Sequence, residues 1–166
     1  MKISKNFTLH ELTHSNTAKR LGINNTPNKE GVHRLRILAT TLLQPLREIV
    51  GAIRVTSGYR SVELNKAITG RSDYISQHTK CEAVDIQHFR RGKMDNMKIF
   101  DAIINHAFEF DQCILEFGGA TEEKDSECPD WIHLSYSMDH NRRQILVAYK
   151  DSNNKTKYRQ PNNYFC

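Results

Sequence analysis

Apolar residues recur at helical spacing in two long segments of the chain. Residues 29–50 carry a broad apolar stripe, which predicts a helix, and Pro45 should kink or split it because proline has no backbone N–H to donate. Residues 94–109 carry a second stripe. A shorter helix is predicted over residues 61–69, where a serine can cap the start and a glycine follows the end.

Short apolar runs between turn residues predict the strands. These runs are residues 53–56, 83–86, 113–117, 131–136 and 144–149. We expect the last two to form a hairpin around residues 138–141. Because the helices mostly precede the strands, the pattern predicts an α+β fold, a single compact domain with an antiparallel sheet and flanking helices. This domain would cover residues 1–150, and residues 151–166 would form a polar C-terminal tail.

Composition and charge narrow the class of protein. The 166 residues are 38% hydrophobic and 26% charged, as is usual for a globular domain. The net charge of +5 favours an anionic partner. The basic residues are dispersed, however, and no basic run with interleaved aromatic residues indicates nucleic-acid binding. No segment approaches the roughly 18 apolar residues that a membrane span needs, and we expect a monomer.

Two polar stretches supply the residue types of a catalytic zinc site. His78 and Asp85 lie in the first, seven residues apart, and Asp130 lies three residues before His133 in the second. Zinc binds imidazole nitrogen and carboxylate oxygen, and a catalytic site keeps one position open for water beside a base. The alternative is a set of ordinary surface side chains, since the chain has eight histidines.

A second histidine motif lies near the N-terminus. Residues 10–14 spell H-E-x-x-H, a spacing that places two histidines on one helix face with a glutamate as base. Thr8 stands three residues before Glu11, which predicts a capping box that would engage the glutamate side chain. The motif is therefore the weaker of the two candidate metal sites.

The ordered motifs resemble those of the D-alanyl-D-alanine metallopeptidase family. They are Ser57-Gly58-Tyr59-Arg60-Ser61, then Ser76-x-His78 with Asp85, then Asp130-Trp131-Ile132-His133. The likeness runs from about Phe7 to Tyr149 and is to a small, phage-like member. That family includes zinc D,D-carboxypeptidases, D,D-dipeptidases and phage endolysins that cut the L-alanyl-D-glutamate bond. The implied fold is the hedgehog/D-Ala-D-Ala metallopeptidase type of α+β domain.

The resemblance implies a role for each motif residue. The ligands of Zn²⁺ would be His78, Asp85 and His133. The residues acting on the substrate would be Asp130 as general base, Arg60 as a catalytic and substrate-binding group, and Ser76 and Trp131 as substrate-binding groups. Many members carry glutamate at position 130. The aspartate here is one methylene shorter than glutamate, so its carboxylate would have to start closer to the metal.

The implied enzyme is a zinc-dependent peptidase, a peptidoglycan hydrolase that cuts amide bonds in stem peptides. Both an endolysin and a D,D- or L,D-type cell-wall peptidase fit, and the sequence does not decide between endopeptidase and carboxypeptidase. The alternative is a non-catalytic zinc-containing binding module of the same fold, which would need no base. We expect synthesis in the cytoplasm without a signal peptide and action on the cell wall after release by a holin-like protein.

Two further residues near these motifs need an explanation. Cys81 stands where the family usually has glycine, and a positive φ there would strain it by about 1 kcal/mol. The favoured interpretation is a tolerated small residue, and the alternative is a thiol that binds metal or oxidises. Glu116 lies in an apolar strand, where its carboxylate either faces solvent or supports a zinc-bound histidine.

Overall fold

A seven-stranded sheet organises the part of the chain that the computed structural model describes, residues 1–71 and 75–162. The strands are β1 (Ile53–Ser57), β2 (Ala83–Arg90), β3 (Lys93–Met94), β4 (Gln112–Glu116), β5 (Trp131–Ser135), β6 (Gln144–Lys150) and β7 (Thr156–Arg159). Their order is β1-β2-β5-β4-β6-β7, and the short β3 pairs with β2. Every pairing is antiparallel except that of β4 with β6, which is parallel.

The α+β class is confirmed, but the sheet is mixed rather than purely antiparallel, and the predicted hairpin of β5 with β6 is wrong. Strand β4 lies between them. The reason is a set of hydrogen bonds that draws the β5–β6 connection past the start of β4. The backbone N–H and guanidinium of Arg142 donate to the buried Asp111 carboxylate, and the Gln144 N–H donates to the Asp111 carbonyl.

The helices are short and carry the caps that their sequences predict. They are α1 (Leu9–Thr13), α2 (Asn16–Leu21), α3 (Lys29–Leu38), α4 (Gln44–Val50), α5 (Val62–Thr69) and α6 (Met97–Asn105). The Thr8 capping box on α1 and the Ser61 cap on α5 are confirmed. No helix in the described residues is long and apolar enough to cross a membrane.

The predicted interruption at Pro45 takes the form of a π-helical turn, Ala39–Leu43, between α3 and α4. The Gln44 N–H bonds to the carbonyl of Ala39, five residues earlier. Pro45, in the first turn of α4, has no N–H to donate to a carbonyl of the preceding turn. The wider π-helical turn before it accommodates the missing hydrogen bond and keeps the apolar side chains on one face. The stripe therefore stays buried through both helices.

Alternation along the strands gives the sheet two different faces. One face packs against α3, α4 and α6 and forms the hydrophobic core with Leu35, Leu42 and Phe100. The strand residues on that face include Val84, Ile86, Cys113, Leu115, Ile132, Leu134 and Val147. Their neighbours in sequence point to the opposite face, which carries polar side chains at the centre of the sheet.

Part of the segment predicted as a polar tail forms the edge strand β7. It pairs with β6, and Arg159 at its end forms an ion pair with Asp125 at 2.6 Å, which connects the acidic loop to the sheet edge. Residues 163–166, with Cys166, and residues 72–74 of the predicted loop before β2 lie outside the described residues. The predicted domain boundary at residue 150 stays a prediction.

Gly58 marks the closest approach of α1 to the chain that follows β1. A methyl group there would overlap the carbonyl group of Leu12, which accepts a hydrogen bond from the Tyr59 N–H at 2.7 Å. We expect Gly58→Ala to lower the free energy of unfolding by about 3 kcal/mol, measured by urea denaturation. The matched control is Gly22→Ala, which has positive φ but open space and should cost about 1 kcal/mol. Equal losses in the two variants would contradict this packing.

Candidate metal centre

His78 lies in the turn that leads into β2 and is only 3% exposed. Its Nδ1 is 2.7 Å from the carbonyl oxygen of Gly58. Since a carbonyl only accepts, Nδ1 carries the proton and donates it, which leaves Nε2 with a free lone pair. The turn is held in place by the Arg60 N–H, which donates to the His78 carbonyl. A metal would therefore meet Nε2 of this ring.

His133 lies in β5 directly opposite Asp85 of β2, so the two side chains share a face of the sheet. Its Nδ1 is 3.1 Å from Oδ1 of Asp85, and its Nε2 is 3.4 Å from Oε1 of Gln77. The Gln77 amide group donates in turn to Oδ2 of Asp111 at 2.5 Å, which leaves its oxygen facing the ring. In the metal-free protein Nδ1 carries the proton and donates it to the Asp85 carboxylate. A metal bound at Nδ1 would require the proton on Nε2, where the Gln77 oxygen can accept it.

The Asp85 carboxylate lies between the two histidines. Its Oδ1 is 3.4 Å from Nε2 of His78, and its Oδ2 accepts a hydrogen bond from the Arg60 guanidinium at 2.9 Å. Burial by itself would raise the pKa of Asp85, but attraction to His78 in its protonated form and the hydrogen bonds that His133 and protonated His78 donate hold that pKa well below its usual range. The carboxylate is therefore charged.

These three side chains fit a zinc ion. One ligand atom from each of His78, Asp85 and His133 lies within 4.8 Å of the others, and all three residues are buried. Two imidazole nitrogens and one carboxylate oxygen form a ligand set used by catalytic zinc, in which a fourth position stays open. No other group of three or more such side chains occurs among residues 1–71 and 75–162.

The H-E-x-x-H motif does not form such a group. The rings of His10 and His14 are exposed, with centroids 5.1 Å apart, and Glu11 is engaged in the capping box. Its carboxylate accepts the Thr8 N–H at 2.8 Å, and its own N–H donates to the Thr8 hydroxyl. The glutamate therefore stabilises the helix start.

The structure brings three of the four predicted substrate-contacting residues to the metal ligands. Arg60, Ser76 and Trp131 line a cavity of about 390 Å³ together with all three ligands. Arg60 also donates to Ser57 at 3.0 Å, so its guanidinium is held beside Asp85. The Ser76 hydroxyl accepts the backbone N–H of His78 at 3.3 Å. Arg60 and Ser76 thus contact ligand residues and line the cavity, and Trp131 lines the cavity.

Asp130, the predicted base, does not line this cavity. It directly precedes the first residue of β5, and its side chain is exposed. Its backbone carbonyl accepts hydrogen bonds from Gln87 and the buried Asn96, and its N–H donates to the carbonyl of Glu116. Its role as the base stays a prediction.

Glu116 lies in the cavity instead, at the end of β4 and opposite Trp131 of β5. The side chain is 9% exposed, and burial together with the nearby negative charge of Asp85 raises its pKa to about 7. The hydrogen-bond partner of the His133 ring, a role considered for Glu116, is Gln77. Sequence reasoning left Glu116 open between a solvent-facing position and a place beside a ligand histidine, and the β4–β5 register places it on the ligand face.

Cys81 has φ of 61°, the left-handed conformation in which a residue other than glycine is strained. Its buried sulfur faces α3, where a methyl group on Gly31 would come within 2.8 Å of Sγ. Burial raises the pKa of the thiol to about 12, which disfavours the reactive thiolate. Cys81 lies outside the group of three ligands and packs as a small buried side chain.

Comparison with known proteins agrees with this site. The family model described as Peptidase M15 matches residues 5–122, more than half of the chain, so the chain belongs to the peptidase M15 family. The predicted family is thus confirmed. The matched range contains His78 and Asp85 and ends before His133. No curated relative and no solved structure matches the chain.

The two histidine motifs make opposite predictions for metal content. We expect His78→Ala and His133→Ala each to abolish stoichiometric zinc binding, because two protein ligands do not hold the ion as three do. A His10→Ala, His14→Ala double variant should keep one zinc per chain. Elemental mass spectrometry of dialysed protein measures this, and zinc loss in the double variant alone would contradict the assignment.

Glu116 should make the stability of the metal-free protein depend on pH. Because its pKa is raised in the folded state, its contribution is complete below the ordinary value of 4.5 and is lost as the pH rises through about 7. We expect Glu116→Gln to increase the free energy of unfolding by about 3 kcal/mol at pH 8 and by much less at pH 5. Urea denaturation at both pH values tests this, and a pH-independent difference would contradict it.

Proposed function

We propose that this member of the peptidase M15 family is a zinc metallopeptidase that hydrolyses amide bonds in peptidoglycan stem peptides. The observation that carries the proposal is the convergence of His78, Asp85 and His133 in one cavity of a chain from a peptidase family. The net charge of +5 suits an anionic wall polymer. An endolysin and a D,D- or L,D-type cell-wall peptidase both fit these properties.

The ligand residues are positioned before any metal binds. Nε2 of His78, Nδ1 of His133 and Oδ1 of Asp85 would hold the ion. The Gly58 carbonyl would keep the His78 proton on Nδ1, and the Gln77 oxygen would accept the His133 proton on Nε2. A bound zinc ion supplies Lewis-acid polarisation of a carbonyl group and lowers the pKa of water. Both acceptors are already in place, so the two rings would need little reorganisation to bind the metal.

Arg60 would serve both the metal site and the substrate. Its guanidinium holds one oxygen of Asp85, which directs the other toward the histidines, and it lines the cavity where the substrate would lie. A fixed positive charge in a buried cleft stabilises the negative charge that develops on the carbonyl oxygen during attack. Ser76 and Trp131 would contact the peptide, one with a hydroxyl and the other with a flat apolar ring.

Hydrolysis also needs a group that takes a proton from the attacking water. The sequence motif favours Asp130, and the cavity lining favours Glu116. The exposed position of Asp130 is also the one observation that favours the alternative, a non-catalytic zinc-containing binding module, since such a module needs no base at that position.

The proposed function is tested by digesting purified peptidoglycan with zinc-loaded protein and identifying the products by mass spectrometry. We expect new N-termini or lost terminal residues that a zinc chelator suppresses and that His133→Ala does not produce. Exposed D-glutamate would identify an endolysin, and loss of terminal D-alanine a carboxypeptidase. Zinc-loaded wild-type protein that releases nothing would contradict the peptidase and support the binding module.

A further inference from the structure

We propose that Glu116 is the general base and general acid of the reaction, an inference that rests on the proposed function. The observation behind it is a buried carboxylate that shares a sheet face and a cavity with the three metal ligands.

The strand register places Glu116 close to the ligands. In the antiparallel pairing of β4 with β5, Ile114 lies opposite His133 and Glu116 lies opposite Trp131. Glu116 is therefore the diagonal neighbour of His133, at the roughly 7–8 Å between such positions that a long side chain can reach across. Asp85 flanks His133 from the other side, on β2. The carboxylate and the ligands thus face the same space.

The Glu116 carboxylate is close to the ligand group without belonging to it. It is not one of the three side chains whose ligand atoms converge. It also has no hydrogen-bond partner in the described part of the chain, although the charges of Asp85, His133 and Arg60 all act on it. A carboxylate that lines the cavity beside the candidate metal site and has no protein partner there is available to a water molecule or a substrate group.

Asp130 lacks these properties. The Asn96 side chain, which is fully buried, donates to the carbonyls of Pro129 and Asp130 and so fixes the backbone at this point. The Asp130 side chain is exposed and does not line the cavity.

The step is a simple hydrolysis. The oxygen of a water molecule bonds to the amide carbon while one of its protons passes to the Glu116 carboxylate. The carbon–nitrogen bond then breaks, and the same proton passes from Glu116 to the leaving nitrogen. The products are a carboxylic acid and an amine, and Glu116 returns to its charged form.

The experiment compares Glu116→Gln, Glu116→Asp and Asp130→Asn with the wild type, and Glu109→Gln serves as a matched control at an exposed glutamate. We expect Glu116→Gln to lower kcat on stem peptides about 10²- to 10⁴-fold. Zinc affinity, measured on metal-free protein by competition with a chromophoric chelator, should stay within about tenfold. Glu116→Asp should restore part of the activity, Asp130→Asn should lose far less than Glu116→Gln, and Glu109→Gln should match the wild type.

Three results would overturn the inference. Activity of Glu116→Gln within about threefold of the wild type would exclude Glu116 as the base and leave the peptidase proposal standing. Loss of zinc binding in Glu116→Gln would make Glu116 part of the metal site instead. Zinc-loaded wild-type protein that cleaves no stem peptide would overturn the peptidase proposal, and this inference with it.

Discussion

The pairing of one buried carboxylate with three cationic or donor side chains governs the site. Asp85 is only 7% exposed, and a charge in that position is tolerated only when its neighbours compensate it. His78, His133 and Arg60 do so from the turn before β2, from β5 and from the segment after β1. The need to compensate this charge therefore brings distant parts of the chain together, and the same groups become the metal site and its positive wall.

The sheet makes this arrangement possible because one face is apolar and packs in the core, whereas the other carries the polar side chains of the site. The core face is apolar and packs on three helices, which stabilises the strands without involving any site residue. The opposite face is then free to carry charged and polar side chains at the centre of the sheet, where the registers of β2 with β5 and of β5 with β4 bring Asp85, His133 and Glu116 together. A shift of β5 by one residue would turn His133 toward the core.

Local patterns explain how much of this could be predicted. The candidate metal ligands could be named from residue types and from the resemblance of the ordered motifs to a known family, and the shared face of Trp131 and His133 follows from strand alternation within one strand. Pairing between strands is not local, so neither the parallel contact of β4 with β6 nor the place of Glu116 beside the ligands could be predicted. The topology depends on hydrogen bonds between Asp111 and Arg142, residues 31 positions apart that no motif connects.

The chain of contacts from Arg142 through Asp111 and Gln77 to His133 has a thermodynamic consequence. The carboxylate of Asp111 both holds the β5–β6 connection and fixes the amide that orients a ligand ring. Any local opening of that connection frees the ring and weakens the metal site. By linkage, an ion bound to His133 stabilises the closed connection by the same amount. Metal occupancy and the local unfolding of a distant surface segment are in this way one coupled equilibrium.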